Sequence, residues 1–214
     1  MEKEKVLSIL IADDHAVVRE GLRLLIQNEH KDAKIGQASS GIEVFKKIAE
    51  GNWDLVVMDI NMPGRDGLEV LDQLKAEEVH LPVIILSMHP EEYMGIRAIR
   101  TGAAAYITKD AAGEMLIDAI NKVLSGKKYI TPAIAEQMAE QLDNPLNKKP
   151  HELLSNRELQ TTVLLASGKT VSEIAKQLSL SVATISTYRS RILEKMSLKN
   201  NADLMAYAMK NALV

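Results

Sequence analysis

The apolar run Val6–Ala12 ends in two adjacent aspartates, Asp13 and Asp14, and a helical pattern follows at once. Neighbouring carboxylates repel and raise each other's pKa unless something positive lies between them. A hard cation such as Mg2+ resolves the conflict; the ordinary alternative is one aspartate capping the helix while the other faces water. Three further polar residues occupy comparable places. Asp59 closes the run "DLVVMD", Ser87 closes "PVIILS" and Lys109 closes "AAYITK". Taken singly, each has a plain explanation: turn chemistry before "NMPG", a strand end, a solvated lysine. Taken together, they form the set that phosphoryl transfer to a carboxylate requires. One carboxylate attacks, a metal neutralises the phosphoryl oxygens, and a hydroxyl and an ammonium bind the oxygens left over. Asp59 is the expected nucleophile. Asp13, Asp14 and Asp59, with the backbone carbonyl of Asn61, are the expected Mg2+ ligands, Asp14 more directly than Asp13. Ser87 and Lys109 are the expected phosphoryl contacts.

These residues converge only if the chain folds in a particular way. Short apolar runs recur at Val6–Ala12, Lys34–Ala38, Asp54–Met58, Pro82–Ser87 and Ala104–Ile107. Between them apolar residues keep helical spacing, as in Val18, Leu22, Leu25 and Ile26, or Met115, Ile117, Ile120 and Leu124. Alternating strands and helices predict an α/β doubly wound five-stranded parallel sheet. The near-continuous apolar content of strands one, three and four suits burial on both faces. Ligands of such sheets bind at the carboxyl ends of the strands, where all five polar residues stand.

Composition separates the chain into two parts. The 214 residues are 46% apolar and 26% charged, typical of a soluble globular protein. The chain has no cysteine, which excludes disulfides, thiolate metal sites and cysteine nucleophiles. No apolar stretch is long enough to span a bilayer and "MEKEKVL" lacks a signal-peptide core, so no membrane role and a cytoplasmic location are expected. Residues 1–125 carry a balance of −7 and residues 126–214 one of +4. The acidic part suits a cation and the basic part a polyanion.

After Gly126 the pattern changes. "KKYITPAIAEQMAEQL" places Thr131 as N-cap and Pro132 at the first helical position, predicting a helix over about 132–142. The Pro- and Asn-rich "DNPLNKKPHE" reads as linker. Helices are expected near 155–167, 171–178, 182–196 and 201–212. In "TVSEIAKQLSLSVATISTYRSRILEKM" a short helix, a tight "SLS" turn and a longer helix share the inner residues Ile174, Leu178, Leu180, Ile185, Ile192 and Met196. Two helices crossing over one core give helix-turn-helix geometry. The opposite face carries Ala183, Thr184, Ser186, Thr187 and Ser190, flanked by Arg189, Arg191 and Lys195. Small polar residues with basic neighbours suit a helix laid in the major groove, against the alternative of a bundle with a solvated polar face. Leu204, Tyr207 and Ala208 of the final helix are candidate contacts between two copies, although packing within the domain could use them equally.

The segments "ILIADDHAVVREGL", "DLVVMDINMPGRDGLEVL", "PVIILS" and "GAAAYITKD" resemble the receiver domain of two-component response regulators. "SNRE", "EIAKQL" and "TISTYRSRILEKM" resemble the LuxR-type DNA-binding domain, so the whole chain is similar to a NarL/LuxR (FixJ-type) response regulator. The resemblance implies a flavodoxin-like receiver of strand order 2-1-3-4-5 over residues 1–125. A linker over 126–151 and a helix-turn-helix domain over 152–214 would follow. It implies that Asp59 accepts phosphate from a sensor histidine kinase. Ser87 would be the switch hydroxyl, Tyr106 the switch aromatic and Lys109 the receiver lysine. Phosphorylation would favour a homodimer on two-fold-related sites of double-stranded DNA, with RNA polymerase as a further partner. Departures are Asp110 in place of a common proline, Val171-Ser172 in place of Asn-Lys, and no lysine at Ala183 or Ser186. Two rivals remain at this level. One is a phosphatase with an aspartyl-phosphate intermediate, which wants a general acid where Asn61 stands. The other is a regulator acting through protein contacts without DNA.

Overall fold

The computed structural model describes residues 6–143, 149–211 and 213–214. The central part of the expected linker, 144–148, lies outside the described residues.

Five parallel strands, β1 (Ser8–Ala12), β2 (Lys34–Ala38), β3 (Leu55–Asp59), β4 (Val83–Ser87) and β5 (Ala105–Thr108), form one sheet in the order β2-β1-β3-β4-β5. The expected doubly wound sheet is therefore present. Strands β3 and β4 are buried along their whole length, as their unbroken apolar sequence requires. Helices α1 (Ala16–Glu29) and α5 (Ala112–Leu124) cover one face, where Leu22, Ile26, Leu116 and Ile120 pack on Ile9, Ile11, Val57 and Ile84. Helices α2 (Gly41–Glu50), α3 (Gly67–Ala76) and α4 (Glu91–Thr101) lie side by side and bury Val44, Leu68, Leu71, Met94 and Ala98.

The start of α3 is fixed tightly. Asp66 accepts a bond from the Glu69 N–H at 2.7 Å while the Glu69 carboxylate accepts from the Asp66 N–H at 3.0 Å, a reciprocal cap. Gly67 then passes so close to β3 that a Cβ would stand 2.3 Å from the Asp59 carbonyl oxygen. Only glycine permits that approach, and it holds the turn after Asp59 in place.

The chain forms two compact units, Met1–Glu140 and Gln141–Val214. Most of helix α6 (Pro132–Asp143), expected as a linker helix, thus belongs with the sheet. In the second unit a 3-10 turn at Pro150–Leu153 precedes α7 (Asn156–Ala166), α8 (Val171–Gln177), α9 (Val182–Lys195) and α10 (Asn201–Lys210). Ser155 and Thr170 head α7 and α8 with reciprocal caps to Glu158 and Glu173. Between α8 and α9, Ser179 turns the chain with φ 54°, a left-handed conformation that a short polar residue tolerates. Ile174, Leu178, Ile185, Ile192 and Met196 are buried together, and Leu180 is half-buried. No helix among the described residues is long and apolar enough to cross a membrane.

Candidate functional site: an acidic crevice and a helix-turn-helix face

Parallel pairing brings the strand ends to one rim. β1 leads into Asp13 and Asp14, β3 ends at Asp59, and β4 ends at Ser87, one register step beyond Leu86, the partner of Asp59. The Lys109 N–H donates to the Ser87 carbonyl at 2.8 Å, which anchors the segment after β5 to β4. From there the Lys109 Nζ reaches Asp59 Oδ2 at 2.8 Å and Asp13 Oδ2 at 2.6 Å. Asp13 and Asp59 are 1% and 2% exposed, so one ammonium faces two desolvated carboxylates. Asp59 Oδ1 is buried with no hydrogen-bond partner among the described residues, and Asp13 Oδ2 has the Lys109 ammonium as its ion-pair partner. This is an electrostatic deficit of one positive charge.

Burial pushes the Asp59 pKa up; the Lys109 charge and hydrogen bond pull against it, Asp13 adds to the rise, and a bond from the Asn61 backbone N–H opposes it. Burial pulls the Lys109 ammonium down, but the two carboxylates outweigh that and hold its pKa above the ordinary lysine value. A buried Asp59 oxygen without a donor, beside a second buried carboxylate, fits a hard cation, and the set is all oxygen, as Mg2+ prefers. Asp13, Asp14 and Asp59 are the residues that would hold it, with Asn61, half-buried, two residues past Asp59.

Sequence reasoning passed over several neighbours. His15 places its Nδ1 2.7 Å from Asp14 Oδ1 and 3.3 Å from Asp13 Oδ1, and its backbone N–H donates to Asp13 Oδ1 at 2.8 Å. Arg19 donates to the Asp13 carbonyl at 2.6 Å from the first turns of α1. His89, its pKa lowered by burial, donates its backbone N–H to Ser87 Oγ at 3.1 Å. Its carbonyl accepts from the hydroxyl of fully buried Tyr106 at 2.7 Å. Tyr106 and Ser87 are thereby joined through one residue, a relation invisible in a linear reading.

The second site lies on α9. Ala183, Ser186, Thr187, Ser190 and Arg191 are exposed, and Thr184 is half-buried beside the Ser181 cap. The Thr187 and Ser190 hydroxyls bond back to the carbonyls of Ala183 and Ser186, so each still offers oxygen lone pairs outward. Two of the three flanking cations are engaged within the unit. Arg189 donates to Asn201 Oδ1 at 2.7 Å, and Lys195 Nζ holds Glu158 Oε2 at 2.7 Å. Glu158 is buried and also closes the cap at Ser155, so Lys195 is a structural partner here. On the final helix the side chains follow the second alternative, packing within the unit. Leu204 and Ala208 are fully buried inside the unit, and the Tyr207 hydroxyl bonds to His151 Nδ1 at 2.8 Å. Ala202, Met205, Ala206 and Met209 are exposed at helical spacing, as are Asn201 and Lys210 at the two ends of the helix.

Comparison with known proteins gives a family for each part of the chain. Residues 9–121 match the family model of the response regulator receiver domain, and residues 152–208 match that of the luxR family of bacterial regulatory proteins. Response regulator UvrY of Escherichia coli K12 is 34% identical over 209 residues, spanning 97% of this chain and 96% of UvrY. Response regulator GacA of Pseudomonas aeruginosa is 34% identical over 210 residues, 98% of each chain. Among solved structures, response regulator ChrA of a heme-sensing two-component system aligns with a TM-score of 0.51 at 29% identity, over 98% of this chain and 99% of ChrA. The response regulator RcsB, in complex with DNA, aligns with a TM-score of 0.58 over 96% of this chain and 98% of RcsB; at 23% identity it shows the fold alone.

Proposed function

The chain belongs to the response regulators that join a receiver domain to a LuxR-type DNA-binding domain, and from that premise we infer that Asp59 is the phosphoacceptor through which a sensor histidine kinase controls its binding to DNA. The observation that carries the reading is the rim itself: two buried carboxylates on adjacent strands share one lysine, and one Asp59 oxygen has no donor. When bound, Mg2+ would neutralise the phosphoryl oxygens. Asp59 attacks phosphorus with its carboxylate, and the phosphoryl bond to the donor breaks. Lys109, already 2.8 Å away, is in place to pair with the added negative charge. Ser87 is the hydroxyl that takes another phosphoryl oxygen, at the cost of its bond from His89.

The receiver is assigned to residues 1–125, the linker to 126–151 and the helix-turn-helix domain to 152–214. On DNA, Thr184, Ser186, Thr187 and Ser190 face the bases of the major groove and Arg191 pairs with phosphate, with Arg189 released from Asn201 to do the same. A single small module buries only about 600–1,000 Å² on DNA, so useful affinity calls for two copies on a two-fold-related site. The exposed Met205 and Met209 face of α10 supplies the contact between copies. The protein acts in the cytoplasm, with the kinase and double-stranded DNA as partners.

The test is labelling by acetyl phosphate with and without Mg2+, followed by footprinting. Wild type labels only with Mg2+ and protects two related half-sites more strongly once labelled; Asp59→Asn does neither. Full labelling of Asp59→Asn at an unchanged rate removes the assignment.

A further inference from the structure

The segment that leaves α5 is seated against the sheet edge rather than leading away from it. The Tyr129 N–H donates to the Ala104 carbonyl at 2.9 Å, and Tyr129 bridges in parallel to Ala105, so the open edge of β5 is extended by one rung. Lys128 Nζ reaches the Ile99 carbonyl at the end of α4 at 3.4 Å. Thr131, 5% exposed, makes two bonds with one hydroxyl: it accepts from the Ile134 N–H at 3.3 Å, capping α6, and donates to Glu91 Oε2 at 2.6 Å. Ile134 is fully buried against Gly95 of α4, where a Cβ would lie 2.8 Å from its Cδ1 and 2.9 Å from its Cγ1. α4 is bare at the spot where the α6 side chain lands.

The other end of this contact leads back to the rim. Glu91 is the first residue of α4, two residues after His89. His89 takes the Tyr106 hydroxyl on its carbonyl and gives its N–H to Ser87. The helix start between them, Pro90, makes no side-chain cap bond, and the first turn of α4 lies between the Ser87–His89–Tyr106 set on one side and Thr131 on the other. A hydroxyl at Ser87 that turns toward a phosphoryl oxygen gives up its bond from His89. That frees the loop whose next residues carry the strap's carboxylate.

We propose that Tyr129–Ile134 is a strap whose seating on Glu91 and Gly95 of α4 is coupled to the rim around Asp59, so that α6 is the element through which the receiver's state leaves the sheet. The coupling is reciprocal: whatever loosens the strap changes how readily Asp59 accepts a phosphoryl group. It rests on the reading of Asp59 as phosphoacceptor.

The experiment uses the full chain and follows amide exchange over residues 128–140, the NMR signals of the Tyr106 ring and His89, and Asp59 labelling by intact mass. Thr131→Val removes the hydroxyl with little change of shape; Thr131→Ser restores it; Gly95→Leu lifts Ile134 by a separate route. In the unmodified protein, Thr131→Val and Gly95→Leu speed exchange of the Tyr129 and Ala135 amides roughly tenfold, the equivalent of one charge-assisted hydrogen bond. Both also shift the Tyr106 and His89 signals and change the labelling rate severalfold, and Thr131→Ser returns all three to the wild-type values. Faster exchange with unmoved Tyr106 signals and an unchanged labelling rate overturns the coupling, leaving the strap as edge protection only. So does wild-type protein, labelled by mass, whose strap exchanges as before. Wild type that takes no label overturns the phosphoacceptor reading instead, and the Tyr106 and His89 signals of the unmodified variants still decide the coupling.

Discussion

Asp59→Asn should make the metal-free protein more stable at neutral pH, although it removes a member of an ion-pair set. The wild-type rim holds two buried carboxylates against one ammonium. Burial raises the Asp59 pKa, with Asp13 adding to it and Lys109 opposing. The sign follows from linkage: a folded pKa raised above the unfolded one contributes stability that is full below the unfolded value, about 3.9 for aspartate, and is lost as pH rises through the folded value. At pH 7 the ionised side chain is therefore a cost. Asparagine keeps the shape and an acceptor for Lys109, and Lys109 keeps Asp13. Removing the buried second carboxylate charge, one of whose oxygens lacks a donor, is worth about 2–3 kcal/mol, and the weaker bond to Lys109 together with the amide NH2 left in the place of Oδ1 returns roughly 1–2 kcal/mol of that. The net gain is about 1 kcal/mol, or roughly 3–5 °C in Tm for a unit of this size.

Trp53, the chain's single tryptophan, lies in the receiver unit with its Nε1–H bonded to the Lys47 carbonyl at 2.7 Å, so its fluorescence reports this unit's unfolding. Melts in chelator at pH 7 should show the variant above wild type, and the gap should narrow as pH falls toward 4. Mg2+ should close it from the other side, since an ion at ten times its Kd stabilises the wild type by about 1.4 kcal/mol and the variant has lost a ligand. A variant less stable than wild type in chelator, or a gap that widens on acidification, would show that Lys109 outweighs burial and refute the argument.

Lys109→Ala should still accept label, because Asp59 keeps its position on β3, but labelled and unlabelled protein should bind DNA alike; a wild-type response in footprinting would reduce the lysine to local charge balance. The flanking cations of α9 should divide. Arg191→Ala should weaken binding to all sequences and flatten the salt dependence by about one unit of slope, read from filter binding across a salt series. Lys195→Ala should instead lower the stability of the helix-turn-helix unit by about 1–2 kcal/mol in urea melts followed by circular dichroism, because the buried Glu158 loses its opposite charge and keeps the bond from the Ser155 N–H.

The sheet and its rim were legible because they rest on periodicity and on chain order. Apolar runs of strand length followed by helical spacing set β1 to β5 within one or two residues, and parallel topology alone then brings Asp13, Asp59, Ser87 and Lys109 to one edge. What stayed hidden depends on distances between segments far apart in sequence. Nothing in "REL" announces that Glu158 waits for Lys195, 37 residues on. An apolar position on α10 is equally consistent with its own core and with a second copy; Leu204 and Ala208 went inward, and Met205 and Met209 did not. His89 carries no pattern at all, and its role rests on a carbonyl that happens to meet the Tyr106 hydroxyl.

The same contrast bears on how the rim can act as a switch. On the reading of Asp59 as phosphoacceptor, the acceptor is held from behind: Gly67 presses on the Asp59 carbonyl, the Asp66–Glu69 cap fixes the following turn, and Arg19 grips the Asp13 carbonyl. None of these can yield without moving the acceptor itself. The weak part is elsewhere, in the Ser87–His89–Tyr106 set and an α4 whose start has no side-chain cap. A phosphoryl group adds negative charge to a rim already short of one positive charge, and that stress cannot be relieved by the rigid side. It has to be relieved by the hydroxyl that can turn and by the helix that can shift, which is why the signal should leave along α4 and not along α3.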